Sequence, residues 1–254
     1  GVISLIAFVL FFKETHHAIV LVGRAEKIRR RTGNWAIHAP HENVSLSINE
    51  IVTKNITRPL RMLFTEPIIF LITLYNSFIY GLLYLFLTAI PLIFTTKYGW
   101  VGGVAELPYF AMLLGIFGGG ACCFWLEKRY LAAMKANGGK PVPEERLVPM
   151  MVGGVPFAVG ILWMGWAGYQ GNKVHWIVPT IGIVFIGFGL ITIFLPCLNY
   201  IIDCYLLFAA SALAANTFMR SMFGGAFPLF AKQMFVNMHI EWAATLLGCV
   251  GLLM

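Results

Sequence analysis

The length of its apolar blocks constrains this chain more than any other feature. Five of them run roughly over Ile68–Phe94, Val101–Leu126, Val148–Tyr169, Val174–Leu198 and Leu206–Phe230. A helix needs about 20 apolar residues in a row to cross the hydrocarbon of a bilayer. A soluble chain can hide one such block in its core, but not five. The blocks are also too long for barrel strands, which need only about 10 residues of alternating character. Composition agrees, with 59% hydrophobic and 11% charged residues, against about 25% charged in a soluble domain. The expected fold class is therefore an all-α integral membrane protein.

Two shorter apolar stretches flank the five. Gly1–Phe12 and Trp242–Met254 are too short to cross, so each is expected to be a piece of a spanning helix, cut at the chain's end. No basic segment precedes Gly1–Phe12 and no small-residue cleavage site follows it, which argues against a signal peptide.

The net charge of +7 does not imply nucleic acid, because the basic residues form no continuous face and instead cluster between apolar blocks. Nine lie in Lys13–Glu66 (Lys13, Arg24, Lys27, Arg29, Arg30, Arg31, Lys54, Arg58, Arg61) and five follow the second block (Lys128, Arg129, Lys135, Lys140, Arg146). The alternate loops hold one each: Lys97, Lys173 and Lys232. Positive charge marks the cytoplasmic side, so Lys13–Glu66 is expected to be a cytoplasmic loop.

Within that loop, Ser47-Ile48-Asn49-Glu50 fits a capping box. Ile48, Ile51, Val52 and Ile56 then recur near helical spacing, predicting a surface helix that Pro59 ends. The Arg24–Arg31 cluster reads as an orienting charge run, with anionic lipid headgroups as the alternative partner. The sequons at Asn43 and Asn55 would lie on the wrong side for glycosylation and are read as chance matches.

Polar residues inside spans carry the functional signal, because hydrocarbon penalises them. The first block places Asn76, Tyr80, Tyr84 and Thr88 at four-residue intervals, which makes one slowly drifting stripe on a helix. Such a stripe faces either a water-filled substrate path or neighbouring helices through hydrogen bonds. The fifth block repeats the spacing with Ala212, Asn216, Arg220, Gly224 and Pro228. Arg220 falls near mid-bilayer, so it is expected to face the bundle and find acceptors, with Asn216 a candidate neighbour.

Gly224 and Gly225 are expected to permit close backbone approach, and Pro228 to free a carbonyl and allow a kink. Gly115 and Gly119 form a G-x-x-x-G pair for helix packing, and Gly182, Gly187 and Gly189 thin another span. Glu106 reads as either a protonatable carboxylate or an interfacial group with its head in water. The five cysteines fit neither a disulfide framework nor a zinc site. His16-His17 and Cys122-Cys123 are adjacent pairs that suit a common metal poorly. There is no Walker loop, dinucleotide fingerprint or H-E-x-x-H, so no enzyme, cofactor or metal is expected.

Several runs resemble the fungal drug:proton antiporter branch of the major facilitator superfamily, the multidrug and polyamine exporters. Arg29 through Arg31 with Thr32-Gly33-Asn34 is similar to that branch's central loop. Met62-Leu63-Phe64-Thr65-Glu66-Pro67 resembles the approach to its seventh helix, and Ser77-Phe78-Ile79-Tyr80-Gly81 the helix itself. The most specific run is Ala209-Ala210-Ser211-Ala212-Leu213-Ala214-Ala215-Asn216-Thr217-Phe218, continued by Arg220-Ser221 and Phe227-Pro228-Leu229-Phe230. Trp242-Ala243-Ala244-Thr245-Leu246-Leu247-Gly248 resembles the start of the twelfth helix. Two departures stand out: Lys13-Glu14-Thr15-His16 where the branch commonly has Pro-Glu-Thr-Tyr, and Glu106 where a small residue is expected.

The resemblance implies the C-terminal helical bundle half of a twelve-helix fold. Residues 1–12 would end helix six, 13–66 would be the central loop, and 67–254 would hold helices seven to twelve. It implies proton-coupled export of drugs, polyamines or other small amphipathic compounds, with the bilayer, the substrate, protons and an N-terminal half as partners. It places the protein in the plasma membrane, with the vacuolar membrane as the alternative. Two other readings remain open here, a fragment that does not transport and a multi-span receptor or channel.

Overall fold

The computed structural model describes residues 5, 8, 10–12, 17–39 and 53–253. It divides into two units, 1–53 and 54–254. In the first, α1 spans His17–Thr32. Its last turn carries Arg29, Arg30 and Arg31, where positive charge complements the helix dipole. Gly33 stops it at φ +66°, and its N–H reaches the Arg29 carbonyl at 2.9 Å. Arg30 pairs with Glu26 one turn back. The basic run is therefore helical, which charge counting alone does not reveal. The capping box at Ser47–Glu50 lies outside the described residues.

A π turn over Thr53–Thr57 falls at the boundary, and α2 over Arg58–Thr65 follows in the second unit. Here the expectation for Pro59 is corrected: it sits buried in the first turn of α2 instead of ending a helix. Proline is tolerated there because the first-turn N–H has no intrahelical partner. Five long helices follow: α3 (Pro67–Tyr98), α4 (Tyr109–Ala136), α5 (Val148–Gln170), α6 (Ile177–Cys204) and α7 (Ala209–Asn237). A shorter helix, α8, covers Ile240–Leu253. The five long ones match the five apolar blocks, and each is long and apolar enough to cross a membrane. Helix α4 differs most at its ends. A 3-10 turn over Gly102–Glu106 precedes it, entered through Gly102 at φ +61°, a conformation glycine adopts without strain. At the other end it runs ten residues past the apolar block, through Lys128, Arg129 and Lys135. Hydropathy marks where hydrocarbon stops, not where the backbone hydrogen bonding stops.

Packing explains the glycines. Helix α6 lies between α4 and α5, and α8 packs on the far side of α5. A methyl group on Gly115 would collide with the Val184 carbonyl, and one on Gly119 would sit 2.6 Å from the Phe188 carbonyl. From the α6 side, Gly187 meets the Met112 backbone, while Gly182 and Gly189 meet α5 at Met164 and Phe157. Helix α6 is thus thinned on two faces so that backbones on both sides can touch it. In hydrocarbon this close van der Waals contact holds helices together, since lipid is as apolar as leucine.

Helix α3 packs its length against α7 and buries Ile79, Leu82, Phe86, Ile90 and Ile93 in the core. Their spacing of three or four residues is one helical face. Phe157, Ile161, Met164, Ile183, Ile186 and Ile193 complete that core from α5 and α6.

Candidate functional site

The two polar stripes meet along the α3–α7 seam. At its centre Asn76 donates from Nδ2 to Asn216 Oδ1 at 3.1 Å, and both residues are fully buried. Thr73 and Ser77 are buried beside Asn76 on α3, and their hydroxyls find no protein partner. A bond of this kind between membrane helices contributes about 0.6–2 kcal/mol. Asn76 and Asn216 are therefore part of the interhelical seam and not of an open wall.

One turn on, the stripe comes into the open. Tyr80 is half-buried and Tyr84 is 37% exposed, and their hydroxyls lie 3.2 Å apart. Thr88 is exposed. Helix α7 makes room for the tyrosines at Gly224, where an added methyl would stand 2.9 Å from Tyr80 Cε1 and 3.4 Å from Tyr84 Cδ2. The seam is reciprocal, because Gly81 of α3 accommodates the Phe227 ring at 3.0 Å in the same sense. Gly225 does not share this role. Nothing lies within 4 Å of a methyl placed there, since the next residue of a helix points about 100° away. Pro228 is half-buried inside α7 and the helix continues through it to Asn237.

Arg220 is half-buried on the same wall. Its guanidinium carbon lies 5.1 Å from the centre of the Tyr80 ring and 5.3 Å from that of Phe194 on α6. Those two rings are stacked, 6.1 Å apart. The acceptors expected for Arg220 are not found among the described residues, and Asn216, its candidate neighbour, bonds to Asn76 instead. Among the described residues, Arg220 has neither a hydrogen-bond acceptor nor a carboxylate partner. An arginine at mid-bilayer costs about 3 kcal/mol or more. A cation–π contact returns about 0.5–2 kcal/mol, so two rings offset a cost of that order while leaving the hydrogen-bonding capacity of the fork unused. All five N–H donors of the fork remain available.

Sequence reasoning missed Phe194, Thr73 and Ser77. Phe194 sits in an uninterrupted apolar run and carries no signal. Thr73 and Ser77 do lie at helical spacing from Tyr80 and could have been added to the stripe. It also treated the charges at the helix ends as topology markers only. Arg146 in fact reaches Glu127 at 2.6 Å and Asp203 at 3.0 Å, with side-chain exposures of 16% for Arg146 and 14% for Asp203. Tyr130 donates to the same Asp203 oxygen at 2.8 Å, and its ring lies 3.6 Å under the Arg146 guanidinium. Arg129 pairs with Glu145 at 2.9 Å. Together these contacts tie the end of α4, the turn before α5 and the end of α6. Nearby, Tyr205 donates to Glu66 at 3.2 Å, and burial raises the Tyr205 pKa above its ordinary value, helped by the Glu66 charge.

Glu106 is exposed on its 3-10 turn. It lies near an apolar hollow of about 570 Å³ lined by Trp100, Leu107, Phe110, Leu114 and Trp176. That hollow has no charged lining residue and is separate from the polar wall.

Residues 1–251 match the family model described as Major Facilitator Superfamily. The multidrug transporter FLU1 of Candida albicans is 63% identical over the whole chain, which covers 42% of that protein. The multidrug transporter TPO1_2 of Candida glabrata is 54% identical over 98% of the chain and 43% of its own length. An uncharacterized transporter of Schizosaccharomyces pombe is 47% identical over 99% of the chain and 43% of its own length. The chain thus spans a little over two fifths of these relatives. No solved structure matches it.

Proposed function

We propose, since this chain belongs to the major facilitator superfamily, that it forms part of a secondary active exporter of small amphipathic compounds. The observation that carries the reading is the half-open wall of Tyr80, Tyr84, Thr88 and Arg220. It is built on a seam locked by Asn76 and Asn216. Transporter sites lie near the midplane between two structural repeats, and a polar, aromatic wall beside an apolar core suits that position. Tyrosine offers an amphipathic substrate both a ring face and a hydroxyl. In this reading Lys13–Glu66 and the Arg146 end of the bundle face the cytoplasm, and an N-terminal half supplies the opposite wall. Export is driven by protons across the plasma membrane. The relatives named as multidrug transporters support the substrate class.

The test is efflux of a fluorescent amphipath by the natural-length polypeptide in vesicles, with and without an imposed proton gradient. Tyr84→Ala and Arg220→Ala should each cut efflux at least several-fold while protein abundance in the membrane holds. Efflux that ignores the gradient removes the proton coupling. Normal efflux by both well-expressed variants removes the α3–α7 wall from the transport path.

A further inference from the structure

Resting on that reading of the wall, we propose that Arg220, Tyr80 and Phe194 form an anion subsite that takes a carboxylate carried on or beside an aromatic body. The geometry argues for it in three steps. First, the guanidinium is placed but not paired. Two rings fix it at 5.1 and 5.3 Å, and no described residue offers it an acceptor. Second, the rings meet the guanidinium as cation–π partners, and among the described residues none takes a hydrogen bond from its fork. The fork's N–H edge can still deliver two parallel bonds to one carboxylate, the arrangement in which arginine binds most strongly and most selectively. Third, the neighbouring groups select for more than charge. The Tyr80 and Tyr84 hydroxyls, 3.2 Å apart, give a second polar point. The stacked Tyr80 and Phe194 rings give an apolar face against which an aromatic body can lie. A cationic amine placed here would instead meet a like charge in a poorly hydrated wall, where repulsion is weakly screened.

The carboxylate can come from two sources, an acidic aromatic substrate or an acidic side chain from the rest of the natural-length polypeptide. Both leave the same chemistry at Arg220, and the experiment separates them. The natural-length polypeptide in nanodiscs is titrated with naphthoate and with naphthamide, which match in shape and differ in charge. Phenylglyoxal modification of Arg220 is followed in parallel by mass spectrometry. If the substrate supplies the group, naphthoate binds about ten-fold tighter than naphthamide, the size expected for bonds to a charged group. It also protects Arg220 from phenylglyoxal, naphthamide does not, and Arg220→Gln brings the two affinities together. If the polypeptide supplies the group, Arg220 resists phenylglyoxal without any ligand. One carboxylate-to-amide substitution elsewhere in the polypeptide then makes it reactive.

The proposal is overturned by equal binding of the two probes with Arg220 reactive in the presence of naphthoate. Resistance to phenylglyoxal that no acidic substitution relieves overturns it as well. Efflux of a neutral amphipath, measured on the same preparation, keeps the two ideas apart. Protection by naphthoate without any efflux leaves the anion subsite and removes the transport reading. Efflux with no carboxylate effect does the reverse.

Discussion

The neighbouring glycines of α7 offer a matched pair in which one added methyl group tests the site. At Gly224 that methyl would stand 2.9 Å from Tyr80 Cε1 and 3.2 Å from Cδ1, so the ring must give way by a few tenths of an ångström. Overpacking of this sort costs about 1–3 kcal/mol, while replacing a helical glycine by alanine returns about 1 kcal/mol. Gly224→Ala should therefore be destabilising by about 0–2 kcal/mol. At Gly225 nothing lies within 4 Å, and only the gain of about 1 kcal/mol remains. The two variants should differ by about 1–3 kcal/mol, a gap of several degrees in unfolding temperature. The displaced Tyr80 ring is also the ring that flanks Arg220 at 5.1 Å, so Gly224→Ala should lower efflux and Gly225→Ala should not. Thermal unfolding in detergent and efflux in vesicles read both effects on the same samples. Equal unfolding temperatures and equal efflux for the two variants would refute the packing argument and the site built on it.

Arg146→Ala leaves Glu127 and Asp203 without their shared cation and should cost about 1–3 kcal/mol, less than a fully buried pair because Glu127 is partly in solvent. Arg146→Lys should recover part of that loss in an unfolding assay, and an unshifted Ala variant would show that the network contributes nothing. Gly119→Ala places a methyl 2.6 Å from the Phe188 carbonyl, whereas Gly120 has open space. The first should lose yield and stability relative to Gly120→Ala, and equal behaviour would contradict the close α4–α6 approach. For orientation, single cysteines at Asn43 and Asn172 in a background lacking the native cysteines can be probed in intact cells with an impermeant thiol reagent. Labelling at position 172 alone is expected, and labelling at position 43 alone would invert the topology.

Span number and the position of each span were legible because hydrocarbon imposes a length and a polarity that composition cannot disguise. The glycine pair Gly115 and Gly119 was legible as packing for the same reason, since small residues at four-residue spacing are what close approach requires. The partners of individual polar groups were not. Asn216 and Arg220 share a stripe in sequence, yet Asn216 bonds across the seam to Asn76 while Arg220 turns to rings on α3 and α6. Nothing in a single helix's periodicity says which neighbour lies opposite. The Arg146–Asp203 contact spans 57 residues of sequence, and its three elements are brought together only by the fold. Helix α1 was missed because a dense basic run was read for its charge. Its Gly33-Asn34 stop and its basic last turn were both present in the sequence.

The drift of the four-residue stripe explains why one helix can serve both as a joint and as a wall. A helix advances about 100° per residue, so four residues overshoot one turn by about 40°. From Asn76 to Thr88 there are three such steps, and the stripe rotates by about a third of a turn. The exposures follow that rotation: Asn76 is fully buried, Tyr80 half-buried, and Tyr84 and Thr88 exposed. On α7, Asn216 is fully buried and Arg220, one step on, is half-buried. The α3 stripe leaves the seam at Tyr80, with Arg220 of α7 beside it, while the next α7 position, Gly224, returns to the seam against the Tyr80 ring. Behind that level Asn76 and Asn216 bond to each other across the seam, and beyond it, among the described residues, the tyrosine hydroxyls bond only to each other. The change from buried to exposed polar groups along α3 is thus set by helical geometry, one turn past the Asn76–Asn216 bond. It is also where the unpaired guanidinium stands.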